Sequence, residues 1–302
     1  MGEKRKSSKH IFQPFDMVLP QLLDSLLLGS IFAAAGISLS LYYMSTGIFN
    51  FAHGALLMLG GYLTYTTLAY LGLPLAASVI VSVAVLSVCN TLFYRYFLHP
   101  IRHHHIPSTL STLALLIVLE RLTVVVYGPW GLPFPTFLPG TVEVGALSVS
   151  FQKIGVAMLT LSAIAVLWLL MNRTWVGLGL RATIDNIEAA AASGMNPERM
   201  IMLGVFFSSV VTILTGVSIA STLFLSPILM SQMNMVAIAV SLLAGLGSLW
   251  GIVPAAFILA LSDVFGAVYI GGWFRFVNLA VAIIIVLLLR PQGIFGARER
   301  VA

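Results

Sequence analysis

Long, nearly uncharged apolar runs are the feature that most limits what this 302-residue chain can fold into. A helix needs about 20 mostly apolar residues to span the hydrocarbon core of a bilayer, and each run is near or above that length. In lipid only helices and closed barrels satisfy their backbone hydrogen bonds, and the runs lack the alternation of barrel strands. The predicted helical segments are 18–44, 51–72, 75–97, 107–127, 154–171, 200–225, 235–268 and 273–290.

The composition excludes a soluble enzyme. Charged residues make up 8% of the chain, against about a quarter in soluble domains, so most of the surface must face lipid. The net charge of +5 comes from short basic clusters between apolar runs and does not indicate nucleic-acid binding. The single cysteine excludes a disulfide within the chain. We find no nucleophile–base pair and no convincing metal-ligand cluster, and therefore predict no catalytic and no metal-binding residues.

The basic clusters predict an orientation, because short cytoplasmic loops carry an excess of Lys and Arg. Twelve of the fifteen Lys and Arg residues lie in four stretches, which we predict to be cytoplasmic: 4–9, 95–102, 173–199 and 290–300. The turn-rich loop 128–150 contains no Lys or Arg and is predicted to lie outside. The predicted organisation is a cytoplasmic N-terminal segment 1–17, a transmembrane domain 18–290 and a cytoplasmic tail 291–302.

Two glycine-interrupted stretches predict helices that are broken or re-entrant. Two cytoplasmic stretches must be separated by an even number of crossings, yet the first and last gaps each contain three apolar segments. Each of these gaps also contains an interruption, at 47–54 and at 245–251. Paired interruptions of this kind commonly mark a transport site. We therefore predict an all-α, polytopic transmembrane bundle of about 8–10 membrane segments with two broken or re-entrant helices.

The small and polar residues of these interruptions are the predicted substrate pathway. Irregular backbone at membrane depth is tolerated only where it is buried in protein or lines a cavity. The predicted pathway residues are Gly47, Asn50, His53, Gly54, Ser241, Gly245, Gly247 and Ser248. For Asn50 and His53, a structural role as helix caps is an equally good interpretation. For any single glycine, close helix packing is the better explanation.

Charges inside the apolar runs offer an alternative function. A charge in a bilayer is expensive and by default indicates a functional site. The residues concerned are Asp24, Glu120, Arg121 and Asp263, of which Asp263 is the deepest by position. An ion-coupled secondary transporter or a channel would need a coupling-ion site, for which Asp263 and Glu120 are weak candidates.

The loop 172–199 contains a predicted short helix on the cytoplasmic side. Asp185 and Glu188 fit a capping box, the alanines that follow favour a helix, and Gly194 fits the position just after it. Such a short helix is marginal in water and must dock on the chain's own helix ends or on a partner. The predicted docking residues are Arg181, Ile184, Asp185, Ile187, Glu188, Ala191 and Gly194. Because the chain lacks a phosphate-binding loop, any ATP must be bound by another subunit.

Together these motifs resemble the permease subunits of the branched-chain (hydrophobic) amino acid ABC importers, a family that includes urea and short-amide permeases. The resemblance is carried by residues 47–54 with Gly60-Gly61, by residues 181–196, and by residues 244–251 with the ending 290–296. The chain departs from the family pattern at Ala55, where an acidic residue is common, and at Trp250.

The resemblance implies an ATP-driven importer that works with several other proteins. These include two ABC ATPase subunits, and the loop 172–199 would dock on an ATPase. The other implied partners are a second permease subunit, either a distinct homologue or a second copy, and a periplasmic or lipid-anchored solute-binding protein. The implied location is the bacterial inner membrane with both termini cytoplasmic, and the chain itself would hold no cofactor.

Overall fold

The computed structural model describes residues 14–144, 147–290 and 293–295, so the basic cluster at 4–9 and most of the predicted tail lie outside the described residues. The helices are α1 Pro14–Thr46, α2 His53–Ala69, α3 Leu75–Phe93, α4 His105–Tyr127, α5 Phe151–Arg173, α6 Trp175–Asp185, α7 Ile187–Ala192, α8 Pro197–Thr222, α9 Ile228–Ala244, α10 Ile252–Tyr269 and α11 Phe274–Leu289. A π-helical turn at Tyr94–Leu98 and a 3-10 turn at His99–Ile101 extend α3.

In the part of the chain that the structure describes, six helices are long and apolar enough to cross a membrane: α1, α3 with its extension, α4, α5, α8 and α10. The helix α9 and the middle of α11 are shorter apolar helices. The chain is thus a multi-pass helical membrane protein, and the predicted all-α bundle is confirmed. One exception within the described residues is an antiparallel hairpin in the stretch predicted to be an irregular loop, formed by β1 Thr141–Val144 and β2 Leu147–Ser150.

Side-chain contacts fix the direction in which the long helices run. The start of α5 lies beside the start of α1, where Lys153 pairs with Asp24 at 2.6 Å. The start of α8 lies beside the end of α1, where Gly204 packs against Ser45. Comparable contacts show that α1, α3, α5, α9 and α11 run towards α6 and α7, whereas α2, α4, α8 and α10 run away from them.

Among the described residues, nine helices run along the bundle axis. Because nine is an odd number, the first and last of them have their outer termini at opposite ends of the bundle. The α11 helix ends at the end that carries α6 and α7, which we call the α6–α7 end. The α1 helix starts with Pro14 at the opposite end. The basic stretch 4–9 lies outside the described residues, so the shared face of all four basic stretches stays a prediction. The predicted interruption at 47–54 separates α1 from α2.

Burial separates inner helices from peripheral ones. In the most apolar 18-residue window of each helix, 72% of α1 and 61% of α8 is buried, against 17% of α3 and of α4. The exposed residues of α3 and α4 are mostly apolar, as a lipid-facing surface requires. The α1 helix is therefore the centre of the bundle, and α8, α9 and α10 pack directly on it.

Candidate functional site

The first predicted interruption is a real gap between two helices. The α1 helix ends at Thr46, and Gly47 then adopts a φ of 69°, a left-handed conformation that glycine tolerates best. The Asn50 Oδ1 atom accepts a hydrogen bond of 3.0 Å from the Ala52 amide just before α2 begins. Asn50 therefore stabilises the entry to α2, which agrees with the structural interpretation of this residue.

His53, the first residue of α2, connects two inner helices. Its side chain is buried, with Nε2 3.3 Å from the Ser38 Oγ of α1 and Nδ1 3.5 Å from the Thr212 Oγ1 of α8. The neighbouring Gly54 donates its amide to the Asn234 Oδ1 of α9 at 3.2 Å. His53 is thus a link between helices and not a cap, and the start of α2 is wedged between α1, α8 and α9.

The second predicted interruption divides the run 235–268 into α9 and α10. Gly245 and Gly247 have φ values of 101° and 103°, so the chain leaves α9 through two positive-φ residues that glycine tolerates best. The Ser248 Oγ accepts a hydrogen bond of 3.3 Å from the Gly251 amide as α10 begins. The Ser241 Oγ donates to the Gly36 carbonyl of α1 at 3.2 Å. This interruption is therefore tied to the central helix.

The C-terminal end of the described chain closes the second interruption. The Ile294 and Phe295 amides donate to the carbonyls of Leu243 and Ala244 at 2.9 Å each. These carbonyls belong to the last turn of α9, where acceptors have no partner within the helix. A side chain at Gly293 would overlap the backbone of Gly245.

The loop 172–199 contains two helices, where one was predicted. The α6 helix begins at Trp175, and its N-cap Thr174 accepts a hydrogen bond from the Gly177 amide at 3.1 Å. The prediction of a capping box that starts at Asp185 is wrong, because Asp185 is the last residue of α6. Asn186 is extended and its Oδ1 caps α7 by accepting from the Ala189 amide at 2.9 Å.

The end of α7 agrees with the predicted glycine signal. Gly194 has a φ of 82°, and its amide donates to the Ala191 carbonyl at 3.0 Å. The Met195 amide donates to the Ala190 carbonyl at 3.2 Å, which completes a Schellman motif. The α7 helix has only six residues, which is less than two full turns.

Most of the predicted docking residues lie on the surface. Arg181, Asp185, Glu188, Ala191 and Gly194 are exposed, and Ile187 is 55% exposed. Ile184 differs, because it lies in α6 and packs against the core cluster around α1. Ile184 therefore belongs to a different helix from Ile187 and Ala191, which lie in α7. The exposed α6–α7 surface consists of residues 185–189 and 191–194 with Arg181.

The α6–α7 unit lies between the two interruptions. On one side, Gly47 shares a cleft with Ile187 and Gly194. On the other side, residues 247–250 share a second cleft with Arg181 and Asp185. The predicted pathway residues do not meet in one cavity: Asn50, His53, Gly54, Ser241 and Gly245 are buried, whereas Gly47, Gly247 and Ser248 line these clefts.

Asp263 and Glu120, the two candidates for a coupling-ion site, each have a polar partner. Asp263 forms an ion pair with Arg275, with 3.3 Å between Oδ2 and Nε, and the Glu120 Oε2 accepts from the Ser231 Oγ at 2.7 Å. A cation already neutralises Asp263, which makes this carboxylate a poor site for a coupling ion. Within the described residues, no group of three or more His, Cys, Asp or Glu side chains is placed to hold a metal. The sequence analysis did not predict Arg275 as the partner of Asp263. The signal in the sequence is that Arg275 is a basic residue at the start of an apolar run.

Comparison with known proteins gives one family over nearly the whole chain. Residues 21–289 match the model of the branched-chain amino acid transport system / permease component. The high-affinity branched-chain amino acid transport system permease protein BraD of Pseudomonas aeruginosa is 27% identical over 299 residues, which cover 93% of this chain and 96% of BraD. The corresponding protein LivH of Escherichia coli K12 is 24% identical, over 95% of this chain and 98% of LivH.

One solved structure also aligns along most of the chain. It is PsaBC from Streptococcus pneumoniae in complex with Fab, which matches 93% of this chain and 94% of its own with a TM-score of 0.48 and 18% identity. This likeness is too weak to bear on the function.

Proposed function

This chain belongs to the family of branched-chain amino acid transport permease components, and from that membership we propose that it is the membrane-spanning subunit of an ATP-driven importer for a branched-chain or other hydrophobic amino acid. The match along residues 21–289 is the observation that carries the proposal. The relatives BraD and LivH are permease proteins of high-affinity branched-chain amino acid transport systems, and each aligns from end to end with this chain. The proposed location is the bacterial inner membrane.

The exposed α6–α7 surface is the proposed docking site for two ABC ATPase subunits, one on this chain and one on a second permease. A helix of six residues is marginal alone, yet α7 presents Ile187 to the outside, where an apolar side chain gains from a partner's pocket. The second permease is either a distinct homologue or another copy of this chain. A solute-binding protein would deliver the substrate at the opposite end.

The clefts beside α6 and α7 suggest how ATP hydrolysis in the partners would reach the membrane. A shift of this unit would act on Gly47 through one cleft and on residues 247–250 through the other. The first interruption leads to His53, which contacts α1 and α8, and the second leads to Ser241, which contacts α1. In this mechanism the predicted pathway residues transmit motion between inner helices, and Asn50 holds the entry to α2.

Changing Ile187 to Asp is expected to reduce the recovery of the ATPase with the purified permease by roughly tenfold or more, because a charge replaces a central apolar contact. Co-purification from cells that express the whole transporter measures this. The matched control is Ile270→Asp, since Ile270 is 54% exposed but lies at the opposite end of the bundle. Undiminished ATPase recovery with Ile187→Asp would contradict the docking proposal.

The orientation that this function requires places α6 and α7 in the cytoplasm and the start of α1 outside. Two exposed tryptophans test it: Trp175 begins α6 and is 86% exposed, and Trp130 follows α4 at the opposite end and is 81% exposed. In a Cys89→Ser background, a membrane-impermeant maleimide is expected to label Trp130→Cys in intact cells. Labelling of Trp175→Cys is expected only after permeabilisation, and its labelling in intact cells would refute this orientation.

A further inference from the structure

A cavity of about 480 Å³ lies between α1, α9, α10 and α11, in the half of the bundle away from the α6–α7 end. Arg275, in the first turn of α11, and Phe224, which follows α8, place it near the opposite end. Most of its wall is apolar, with Phe32, Met233 and Leu279 among the lining residues. None of the predicted pathway residues lines it.

One ion pair with a buried carboxylate contributes charge to this wall. The Asp263 side chain is 8% exposed, whereas the Arg275 side chain is 52% exposed, so the guanidinium is the more accessible of the two groups. They meet through one atom each, Nε and Oδ2, at 3.3 Å. The two terminal nitrogens of the guanidinium and the second carboxylate oxygen are not used in this pair. A ligand with one anionic and one cationic group could therefore bind both side chains.

The pair is difficult to explain by stability alone. Buried ion pairs are often no more stable than well-packed apolar residues of similar volume. Ionisable residues inside transmembrane segments are rare and usually mark a substrate or ion pathway. Because Asp263 already faces a cation, a lone metal cation would be repelled by Arg275, and a lone anion would be repelled by Asp263.

We propose that this cavity binds an aliphatic amino acid as a zwitterion, with its carboxylate on Arg275, its ammonium group on Asp263 and its side chain on the apolar wall. The inference rests on the proposed function and adds to it a specific binding site in this chain. The position of the cavity suits a substrate that arrives from outside. A diacyl lipid would need far more space than about 480 Å³.

A second cavity with an ion pair provides a contrast. It is lined by Asp24 and Lys153 with apolar residues of α1 and α5. There both charged side chains are about half exposed, at 48% and 46%, so their interaction is screened and adds little. The binding proposal therefore concerns the cavity with Asp263, and the second cavity serves as the control.

The test is protection of a cysteine in the cavity wall of the full-length chain. Ala280 is exposed and lines the cavity, so Ala280→Cys in a Cys89→Ser background should react with a small methanethiosulfonate reagent. L-leucine is expected to slow this reaction. An analogue without the ammonium group, 4-methylpentanoate, and one without the carboxylate, 3-methylbutylamine, should need roughly tenfold or more higher concentrations, because each loses one charge-assisted contact.

Paired variants test whether the two charges bind the ligand. Neutralising both charges, with Asp263→Asn and Arg275→Gln, avoids an unpaired buried charge. It should raise the leucine concentration needed to protect the cysteine by roughly 10–100-fold. The matched control, Asp24→Asn with Lys153→Gln, should leave protection unchanged. Leucine should also fail to protect Leu161→Cys, which lines the second cavity.

Three results would overturn the inference. The first is no protection of the cysteine by leucine, and the second is equal protection by 4-methylpentanoate. The third is a cysteine that reacts slowly in lipid nanodiscs but not in detergent, whatever the leucine concentration. That result would indicate a lipid in the cavity. Each leaves the proposed function intact if the ATPase still co-purifies with the chain. Loss of that association, with leucine protection retained, would instead refute the importer and not the binding site.

Discussion

Replacing Gly216 with alanine is expected to prevent most molecules of this protein from folding. A methyl group at this position of α8 would overlap the backbone carbonyl of Leu57 in α2. A flexible side chain could move aside, but a helix backbone cannot do so without separating the two helices. We expect a loss of stability at or above about 3 kcal/mol, the upper part of the range for overpacked cores.

The fraction of monodisperse protein after heating, measured by size-exclusion chromatography, reports this loss. Gly272→Ala is the matched control, because a methyl group at Gly272 would meet no atom within 4 Å. A Gly216→Ala variant as heat-resistant as Gly272→Ala would contradict the close approach of α2 and α8.

Removing either partner of the ion pair between Asp263 and Arg275 should have unequal effects. Arg275→Met leaves the Asp263 carboxylate, with a side chain that is 8% exposed, without its cation, and we expect a loss of about 3–5 kcal/mol. Asp263→Asn should cost much less, because the Arg275 side chain is already 52% exposed and can turn to water or to lipid headgroups.

The double variant Asp263→Asn with Arg275→Met should recover most of the stability lost in Arg275→Met alone. Thermal unfolding of the purified chain in detergent gives the four corners of this double-mutant cycle. Equal losses for the two single variants, or additive losses in the double variant, would show that the two groups are not coupled.

Local signals in the sequence predicted both interruptions of the bundle. Gly47 and Gly245 have positive φ values where hydrophobic runs stop. A glycine within a hydrophobic run is a local sequence signal for such a break in a helix. The family resemblance at the same residues is confirmed by the match along 21–289. The roles of these residues in transport stay a prediction.

Features that depend on neighbours in space were harder to predict. Asp185 and Asn186 are both good N-cap residues. Because Asp185 belongs to the last turn of α6, Asn186 is the residue that caps α7. The partner of Asp263 lies on the next helix, beyond a loop, so no helical spacing points to Arg275. The terminal orientation was predicted from charge alone and stays a prediction.

The hydrogen bonds from Ile294 and Phe295 to the last turn of α9 have a consequence for biosynthesis. A ribosome makes α9 about fifty residues before it makes these donors, so the nascent bundle is inserted with those carbonyls still without them. The corner between α9 and α10 can therefore be completed only after α11 and the residues that follow it have been synthesised. Quality control that probes unfinished membrane proteins would find this corner open until then.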